Sequence, residues 1–411
     1  MRAKSLLIAT GILLASHVGT LSACTTIIIS GKATPDGRPL MWKNSDTEIP
    51  FQSVMYGDQR GIPFLGMVRN SSKRDSTASV WAGTNAYGFA IMNTLSYNLS
   101  EKGDGARNGS VMRKALEQCR TVADFRTMLD TLPRPMRLSA NYGVVDAQGG
   151  AAYFEARGDG YRMVDVNDPA VAPDGYLVYT NFSYTGFYDK GQGYIRYMSA
   201  QHEVQSVLPS KGFTPQWIFN HLARCYYHSL LGIDYTSPQA LELFANGYIP
   251  DGDLIARHST ASATVIQGVR PGENPELTTM WAALGYPPCS VAIPCWVKLG
   301  RDNPAIVLRD KETHRAPLSD WVARVKGTVY DVTRGHGIDY VHLSRIYNKV
   351  GDGYMQRLRP IEQQVFDMEA SAMAAWRADG KLDLKAAKAL CHDISLFVGQ
   401  RLEAISPTTV K

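Results

Sequence analysis

Apolar and polar residues form their clearest pattern in a hairpin near the amino terminus of the chain. The run from Cys24 to Ser30 is short and β-branched, a Pro-Asp-Gly turn stands at 35–37, and the second run, 38–42, returns through the apolar Leu40, Met41 and Trp42. Such runs around a turn predict two antiparallel strands. If the chain reverses between Pro35 and Asp36, the numbers of two residues that face each other across the hairpin add up to about 71. The register can be off by one or two residues. Cys24 is then expected to lie opposite the residues just after Asp46.

The same pattern assigns elements along the rest of the chain. Short apolar or alternating runs predict strands within 51–69 and at 78–81, 88–95, 141–145, 151–156, 161–166, 176–179 and 261–268. Spacings of three to four predict two helices within 110–132, broken near Arg120, and helices at 195–207, 215–222, 238–245, 351–378 and 384–405. A helix-like turn is expected at 277–284.

This order of elements predicts an α+β fold. Strands, helices, strands and again helices suggest two packed β layers with helices outside them, although a generic α+β arrangement fits the pattern equally well. We expect a main domain at 24–316 and a charged, helical extension at 317–411 that packs on it, because no Pro/Gly/Ser linker separates the two.

Composition narrows the class of protein. The chain has 411 residues, 45% hydrophobic and 20% charged, which is typical of a globular protein with a sizeable core. A formal net charge of +5 is too small to indicate nucleic acid as a partner. Beyond the first residues no apolar run is long enough for a membrane span.

The cysteines and histidines do not predict a metal site. Neither CxxC nor HExxH occurs, and no glycine-rich phosphate loop is present, so no metal and no cofactor is expected. Six cysteines occur, and Cys289 and Cys295 are close enough to form a small disulfide ring, which spacing alone does not decide.

Residues 1–23 have the layout of a secretory signal. Arg2 and Lys4 precede an apolar stretch, and small residues end at Ala23. Cleavage there makes Cys24 the first residue of a periplasmic or secreted protein. An amino-terminal cysteine has a thiol and a free α-amine, whose reference pKa values are about 8.5 and about 8. A nucleophile and its general base then occupy one residue.

Leu21-Ser22-Ala23-Cys24 also fits a bacterial lipoprotein signal. A lipidated and acylated Cys24 would anchor a non-catalytic binding protein. Lipoproteins usually continue with a polar tether, whereas an apolar β-run follows here at once, which favours the catalytic interpretation.

Seven motifs follow one another along the chain: Cys24-Thr-Thr-Ile-Ile-Ile, Gly31 to Gly37, Lys43-Asn-Ser-Asp46, Gly83 to Asn93, Asn141 to Glu155, Tyr179-Thr-Asn181 and Arg257-His-Ser-Thr260. Together they resemble the N-terminal-nucleophile (Ntn) hydrolases with cysteine. Within that group they resemble the choloylglycine hydrolases and penicillin V acylases, related acyltransferase-like hydrolases, and dipeptidases with a Cys-Thr-Thr opening.

The resemblance implies a four-layer αββα sandwich and hydrolysis of a linear amide through a thioester. It implies that Asp46 holds the cysteine amine and thiol, and that Lys43 stands where the family has an arginine. A lysine keeps the positive charge but lacks the fork for bidentate contacts. Asn93 matches an oxyanion-binding asparagine. The remaining matches are a second active-site asparagine, Asn181, and a site-stabilising arginine, Arg257; His258 departs from the pattern.

The expected partner is therefore a small-molecule amide with an apolar acyl group. A dipeptidase and an acyltransferase remain alternatives within the same fold, and the oligomeric state is left open, a homo-oligomer included. Aromatic side chains could line the pocket for the acyl group, although in a protein of this size they more often belong to the core. The six candidates are Trp42, Trp81, Tyr97, Phe182, Phe187 and Trp281.

Overall fold

A computed structural model of the protein describes residues 23–70, 75–99, 105–244, 246–334 and 338–405. The signal expected at 1–23 lies outside these residues except for Ala23. No helix in the described part of the chain is both long and apolar enough to cross a bilayer.

Strands and helices alternate in blocks along the chain. The strands are β1 Cys24–Ile29, β2 Leu40–Asp46, β3 Gln52–Gly57, β4 Phe64–Arg69, β5 Val80–Asn85, β6 Ala90–Leu95, β7 Ala140–Val145, β8 Ala151–Ala156, β9 Tyr161–Asp165, β10 Tyr176–Tyr179, β11 Tyr227–His228, β12 Ile233–Asp234, β13 Tyr248–Pro250, β14 Thr260–Gln267, β15 Thr279–Leu284, β16 Ile293–Cys295, β17 Val332–Arg334 and β18 Ile338–His342. The helices are α1 Asn108–Gln118, α2 Val122–Asp130, α3 Tyr194–Val207, α4 Pro215–Trp217 (continued by a π turn, Ile218–Ala223), α5 Pro238–Leu243, α6 Pro317–Val329, α7 Leu343–Ile346, α8 Tyr354–Asp379 and α9 Leu384–Ile405.

Two large antiparallel sheets form the centre. The first sheet has the spatial order β10-β1-β2-β14-β15-β16, and the second runs in chain order from β3 to β9. The sheets meet face to face: the Tyr153 hydroxyl on β8 donates to Thr26 Oγ1 on β1 over 3.2 Å, and the Tyr153 ring lies 4.1 Å from that of Tyr179 on β10. The inner residues of both sheets belong to one buried cluster.

Helices cover both outer faces. On the second sheet, Phe125 of α2 packs edge-on against Phe154 at 5.1 Å between ring centroids. On the first sheet, Trp281 of β15 stacks on Phe366 of α8 at 4.2 Å. The four-layer αββα sandwich and the α+β class are thus confirmed.

Local chemistry explains the helix break expected near Arg120. Thr121 Oγ1 accepts from the Asp124 N–H, and the Asp124 carboxylate accepts from the Thr121 N–H, at 3.1 and 3.0 Å. This capping box begins α2 at Val122, so that three residues separate α2 from the end of α1.

The helix-like turn expected at 277–284 is wrong, because Thr279–Leu284 is strand β15. All six residues are buried and pair with β14, and Met280 to Ala282 also pair with β16. The short apolar run from Met280 to Leu284 has no period that separates strand from helix, so its neighbours decide its conformation.

Strands β17 and β18 also interrupt the segment expected to be helical. Strand β18 pairs with β13 from the main body, and Trp321 Nε1 of α6 donates to the Leu402 carbonyl of α9 over 3.1 Å. The division at residue 316 stays a prediction.

Candidate active site

Cys24 opens the first sheet as the first residue of β1, and its side chain is buried. The β1–β2 register pairs Cys24 with Ser45. The facing residue numbers sum to 69, within the register error of two allowed for the expected 71, because the connection between the strands is centred between Thr34 and Pro35 rather than one residue later. The corrected register places Lys43 and Asp46 close to the head of β1.

The two charged residues of β2 approach Cys24 from different faces of the sheet. Thr26, whose hydroxyl meets the second sheet, pairs with Lys43, so alternation places Lys43 on the inner face with Cys24. Asn44 donates to the Ala223 carbonyl in the helical layer, which marks the outer face. Asp46 shares that face, where the sheet ends.

Lys43 is buried between the sheets. Its Nζ donates to Asn93 Oδ1 at 2.8 Å and to the Trp81 carbonyl at 2.9 Å, both in the second sheet. Burial, reinforced by nearby Arg69, lowers the pKa of Lys43 to about 8, although Cys24 and Asp46 oppose the shift. The predicted Lys43 and Asn93 are thus in direct contact.

Asp46 is held by two hydrogen bonds from the loop that precedes β14 and from that strand. Arg257 Nε donates to its Oδ2 and the Thr260 hydroxyl to its Oδ1, each at 2.8 Å. Burial disfavours the charged guanidinium, but Asp46 together with Asp251 and Cys24 outweighs burial, so the pKa of Arg257 is raised. The carboxylate and the arginine expected at the site therefore form a partly buried ion pair.

Asn181 continues the β10 side of the sheet past its last strand residue. The β1–β10 register begins at the pair Thr26 and Tyr179. On its β10 side, Cys24 therefore has the side chain of Asn181 as its neighbour and no paired strand residue. The Cys24 backbone nitrogen lies 3.0 Å from Asn181 Oδ1, while Asn181 Nδ2 donates to the Leu95 carbonyl at 2.8 Å.

The sequence motifs did not identify Arg196, on α3. The buried guanidinium donates to the Cys24 carbonyl, Thr25 Oγ1 and Asn181 Oδ1, each over 2.8 Å. Burial and Arg257 lower the pKa of Arg196 to about 10. No periodic or motif signal in α3 distinguishes this arginine from a surface residue.

Two further residues near Cys24 were not expected as charge partners. Burial, reinforced by Cys24, raises the pKa of Tyr97 to about 12. Arg69, whose guanidinium carbon lies 3.9 Å from the centroid of the Trp81 ring, interacts electrostatically with Cys24. Cations therefore outnumber carboxylates around the thiol, which suits a site where negative charge develops.

The motif around Asn141 and Glu155 supports the chain after Asn181. Asn141 Nδ2 donates to the Phe182 carbonyl at 2.9 Å. The Glu155 carboxylate accepts from the Tyr184 N–H at 2.7 Å and from the Thr185 N–H at 3.2 Å.

His258 anchors the loop that carries Arg257. Its N–H donates to the Asp251 carboxylate, and Tyr330 donates its hydroxyl to the same carboxylate over 2.7 Å. The His258 and Tyr330 rings pack edge to face at 4.8 Å.

The six aromatic candidates for an acyl pocket occupy different environments. Trp42 and Trp281 are fully buried core residues, and Phe187 is exposed. Trp81 and Tyr97 lie beside Lys43 and Cys24, as described above. Phe182 directly follows Asn181 and is buried.

All six cysteines lie in the described residues and are free, buried thiols, so the Cys289–Cys295 ring is not formed. The described residues contain no group of three or more His, Cys, Asp or Glu side chains placed to hold a metal ion.

Comparison with models of protein families gives a match to part of the chain. A sequence model of the family described as acyl-coenzyme A:6-aminopenicillanic acid acyl-transferase matches residues 35–228. None of the curated proteins compared matches the chain.

Three solved structures align with part of the chain at low sequence identity. A conjugated bile acid hydrolase variant from Clostridium perfringens has a TM-score of 0.39 at 11% identity, covering 64% of this chain and 89% of its own. A Caenorhabditis elegans ortholog of N-acylethanolamine-hydrolyzing acid amidase has 0.37 at 14%, covering 59% and 92%. Penicillin V acylase from Agrobacterium tumefaciens has 0.36 at 12%, covering 67% and 86%.

The family match confirms the resemblance to the Ntn group and supports an enzyme of its amidase and acyltransferase class.

Proposed function

We propose that the mature protein cleaves small linear amides with Cys24 as an amino-terminal nucleophile. The observation that carries this proposal is the 3.0 Å contact between the Cys24 nitrogen and Asn181 Oδ1. Once residues 1–23 are removed, that nitrogen is an α-amine held beside its own thiol. The amine serves as the general base, and the same residue provides the nucleophile.

In the first half-reaction the thiol proton passes to the amine and the sulfur attacks the amide carbonyl. The positive charge of Lys43 stabilises the thiolate, and Asp46, held by Arg257, balances the ammonium that forms. The tetrahedral adduct collapses to a thioester, and the ammonium returns its proton to the departing amine.

Asn93 is the proposed oxyanion donor. Because a lysine ammonium only donates, the Asn93 atom that faces Lys43 is the carbonyl oxygen, and the amide NH₂ is the end left to donate elsewhere. One such donor typically contributes about 10²–10³ in rate.

In the second half-reaction, water attacks the thioester with the amine again as base, and an acid is released. A second candidate function is acyl transfer, in which an amine rather than water resolves the thioester. The match to a family described as an acyl-transferase favours this candidate. A dipeptidase would use the same steps on a small peptide.

We propose an apolar acyl group for the substrate, because Trp81 and Tyr97 provide aromatic surface beside the reacting atoms. We also propose export to the periplasm or outside the cell. The alternative to a free amino-terminal Cys24 is a Cys24 that is lipidated and anchors the protein to a membrane.

The test starts with intact mass. A mature protein that begins at an unmodified Cys24 supports the proposal, whereas a diacylglyceryl adduct overturns it. Turnover is then measured on a panel of N-acyl amides of increasing acyl length, with and without an added amine acceptor, which separates hydrolysis from transfer.

Cys24→Ala and Cys119→Ala are the matched pair. Cys119 is another buried thiol, in the outer helical layer, with its pKa raised to about 12 by burial. We expect Cys24→Ala to lose at least about 10³-fold in kcat/KM and Cys119→Ala to keep its activity. Full turnover by Cys24→Ala overturns the mechanism.

A further inference from the structure

The guanidinium of Arg196 occupies the place where the sheet ladder ends beside Cys24. Strand β10 last pairs with β1 at Thr26, so the Cys24 carbonyl has no β10 partner. Arg196 Nη1 takes that position, 2.8 Å from the Cys24 carbonyl oxygen, and also binds Thr25 Oγ1. The first residues of a chain fray unless they are tied down. The hydrogen bonds from Arg196 therefore hold residue 24 in place whether or not residues 1–23 are still attached.

The second nitrogen of the guanidinium fixes the direction of the Asn181 amide. Nη2 donates to Asn181 Oδ1 over 2.8 Å, and a guanidinium has no acceptor, so the oxygen must face it. The same oxygen receives the N–H of Cys24. Arg196 thus holds residue 24 at its carbonyl directly and at its nitrogen through Asn181.

Gly193, which precedes α3, makes this approach feasible. It has a φ of +83°, and a Cβ built there would collide with Arg196 Nη2 and lie 2.9 Å from Thr180 Oγ1. Glycine is the residue that adopts this backbone conformation without a steric penalty. The local structure before α3 is thus shaped around the arginine.

All three acceptors of Arg196 are neutral oxygens, so none of these hydrogen bonds cancels its charge. Because both nitrogens contact one oxygen, the Arg196 Nη2 and the Cys24 nitrogen are no more than about 6 Å apart. A cation at this distance disfavours protonation of an amine. The other charged or titratable groups around this point are Lys43 and Asp46 on β2, Arg69 on β4, Tyr97 after β6, and Asp253 and Arg257 before β14.

We propose that Arg196 is a positioning residue for amide cleavage, which fixes the Asn181 amide and the Cys24 backbone and keeps the Cys24 amine neutral enough to act as the base. This inference rests on the proposed function. Arg196 acts through Asn181 and the backbone, without contacting the substrate.

The test compares Arg196→Gln with Arg196→Lys in the mature protein. In Arg196→Gln we expect kcat to fall about 10²-fold with little change in KM, and the acidic limb of the kcat/KM profile to move up by about one pH unit. Arg196→Lys keeps the charge but loses the fork, so its acidic limb stays in place while kcat still falls. Arg157→Gln, an exposed arginine paired with Asp159, is the control and should change neither quantity.

An Arg196→Gln protein with an unmoved acidic limb and unchanged kcat overturns the proposal, whatever its stability. If that variant does not fold, Gly193→Ala displaces the same guanidinium and is expected to lower kcat without changing KM; unchanged kcat there overturns the proposal equally. If the unmodified enzyme cleaves no amide, the proposed function fails, and the positioning role is read from alkylation of Cys24 by iodoacetamide. The alkylation profile of Arg196→Gln should then move to higher pH, and coincident profiles overturn the role.

Discussion

Lys43 donates from Nζ to Asn93 Oδ1 over 2.8 Å, across the gap between the two sheets. The contact joins the cation of one sheet to the proposed oxyanion donor of the other. It therefore couples the charge state of Lys43 to the orientation of the Asn93 amide. A neutral lysine would still donate, but it would neither attract a thiolate nor hold the amide as firmly.

The first prediction concerns the basic limb of activity. With a pKa of about 8, Lys43 loses its charge as the pH rises above 8. We expect kcat/KM to decline above that pH in the unmodified enzyme. In Lys43→Arg the guanidinium cannot lose its proton in this range, so kcat/KM should stay constant up to about pH 10. At its optimum this variant should be less active than the unmodified enzyme, because the forked guanidinium does not fit the site of the lysine. A decline at the same pH in both proteins would contradict the assignment.

The second prediction concerns the Asp46–Arg257 pair. Asp46→Asn leaves a partly buried guanidinium without its carboxylate, so we expect a loss of about 1–3 kcal/mol in the free energy of unfolding and at least about 10²-fold in kcat/KM. Adding Arg257→Gln should restore part of the stability and none of the activity. Urea unfolding and initial rates on the four proteins of this cycle give both quantities. If the double variant recovered activity, the Asp46 carboxylate would have only a structural role.

Much of the fold could be predicted because its signals are local. The β1–β2 hairpin and helices such as α8 and α9 follow from period and turn chemistry within a few residues. Strand β15 could not be predicted, because its short apolar run, Met280 to Leu284, takes its conformation from the strands on either side.

The site divides in the same way. Cys24, Asp46 and Asn93 lie in motifs that a resemblance can match. Arg196 reaches the Cys24 carbonyl across 172 positions from a helix without any motif, so only the packed structure identifies it.

The third prediction tests how the chain beyond α6 supports the site. Tyr330→Phe removes the hydroxyl that binds Asp251, whose carboxylate also holds His258 next to Arg257. We expect a loss of about 1–3 kcal/mol in unfolding free energy and about tenfold in kcat. Tyr248→Phe is the matched control, because its hydroxyl binds Asp331 at the surface over 3.0 Å. Equal kcat values in the two variants would show that the hydrogen bonds of Asp251 do not affect the active site.

The fourth prediction is a pH dependence of stability outside the site. Burial on α8 raises the pKa of Glu369 to about 7, although Arg377 opposes the shift. Its ordinary value is 4.5, so between pH 4.5 and 7 the folded state binds more protons than the unfolded state, and this residue's contribution to stability falls as the pH rises. Glu369→Gln removes the buried charge, so at pH 8 it should be more stable than the unmodified protein by up to about 3 kcal/mol, and at pH 4 nearly equal to it. Urea unfolding at both pH values measures the difference, with the exposed Glu403→Gln on α9 as control. A stability difference that is the same at pH 4 and pH 8 would show that Glu369 does not titrate between them.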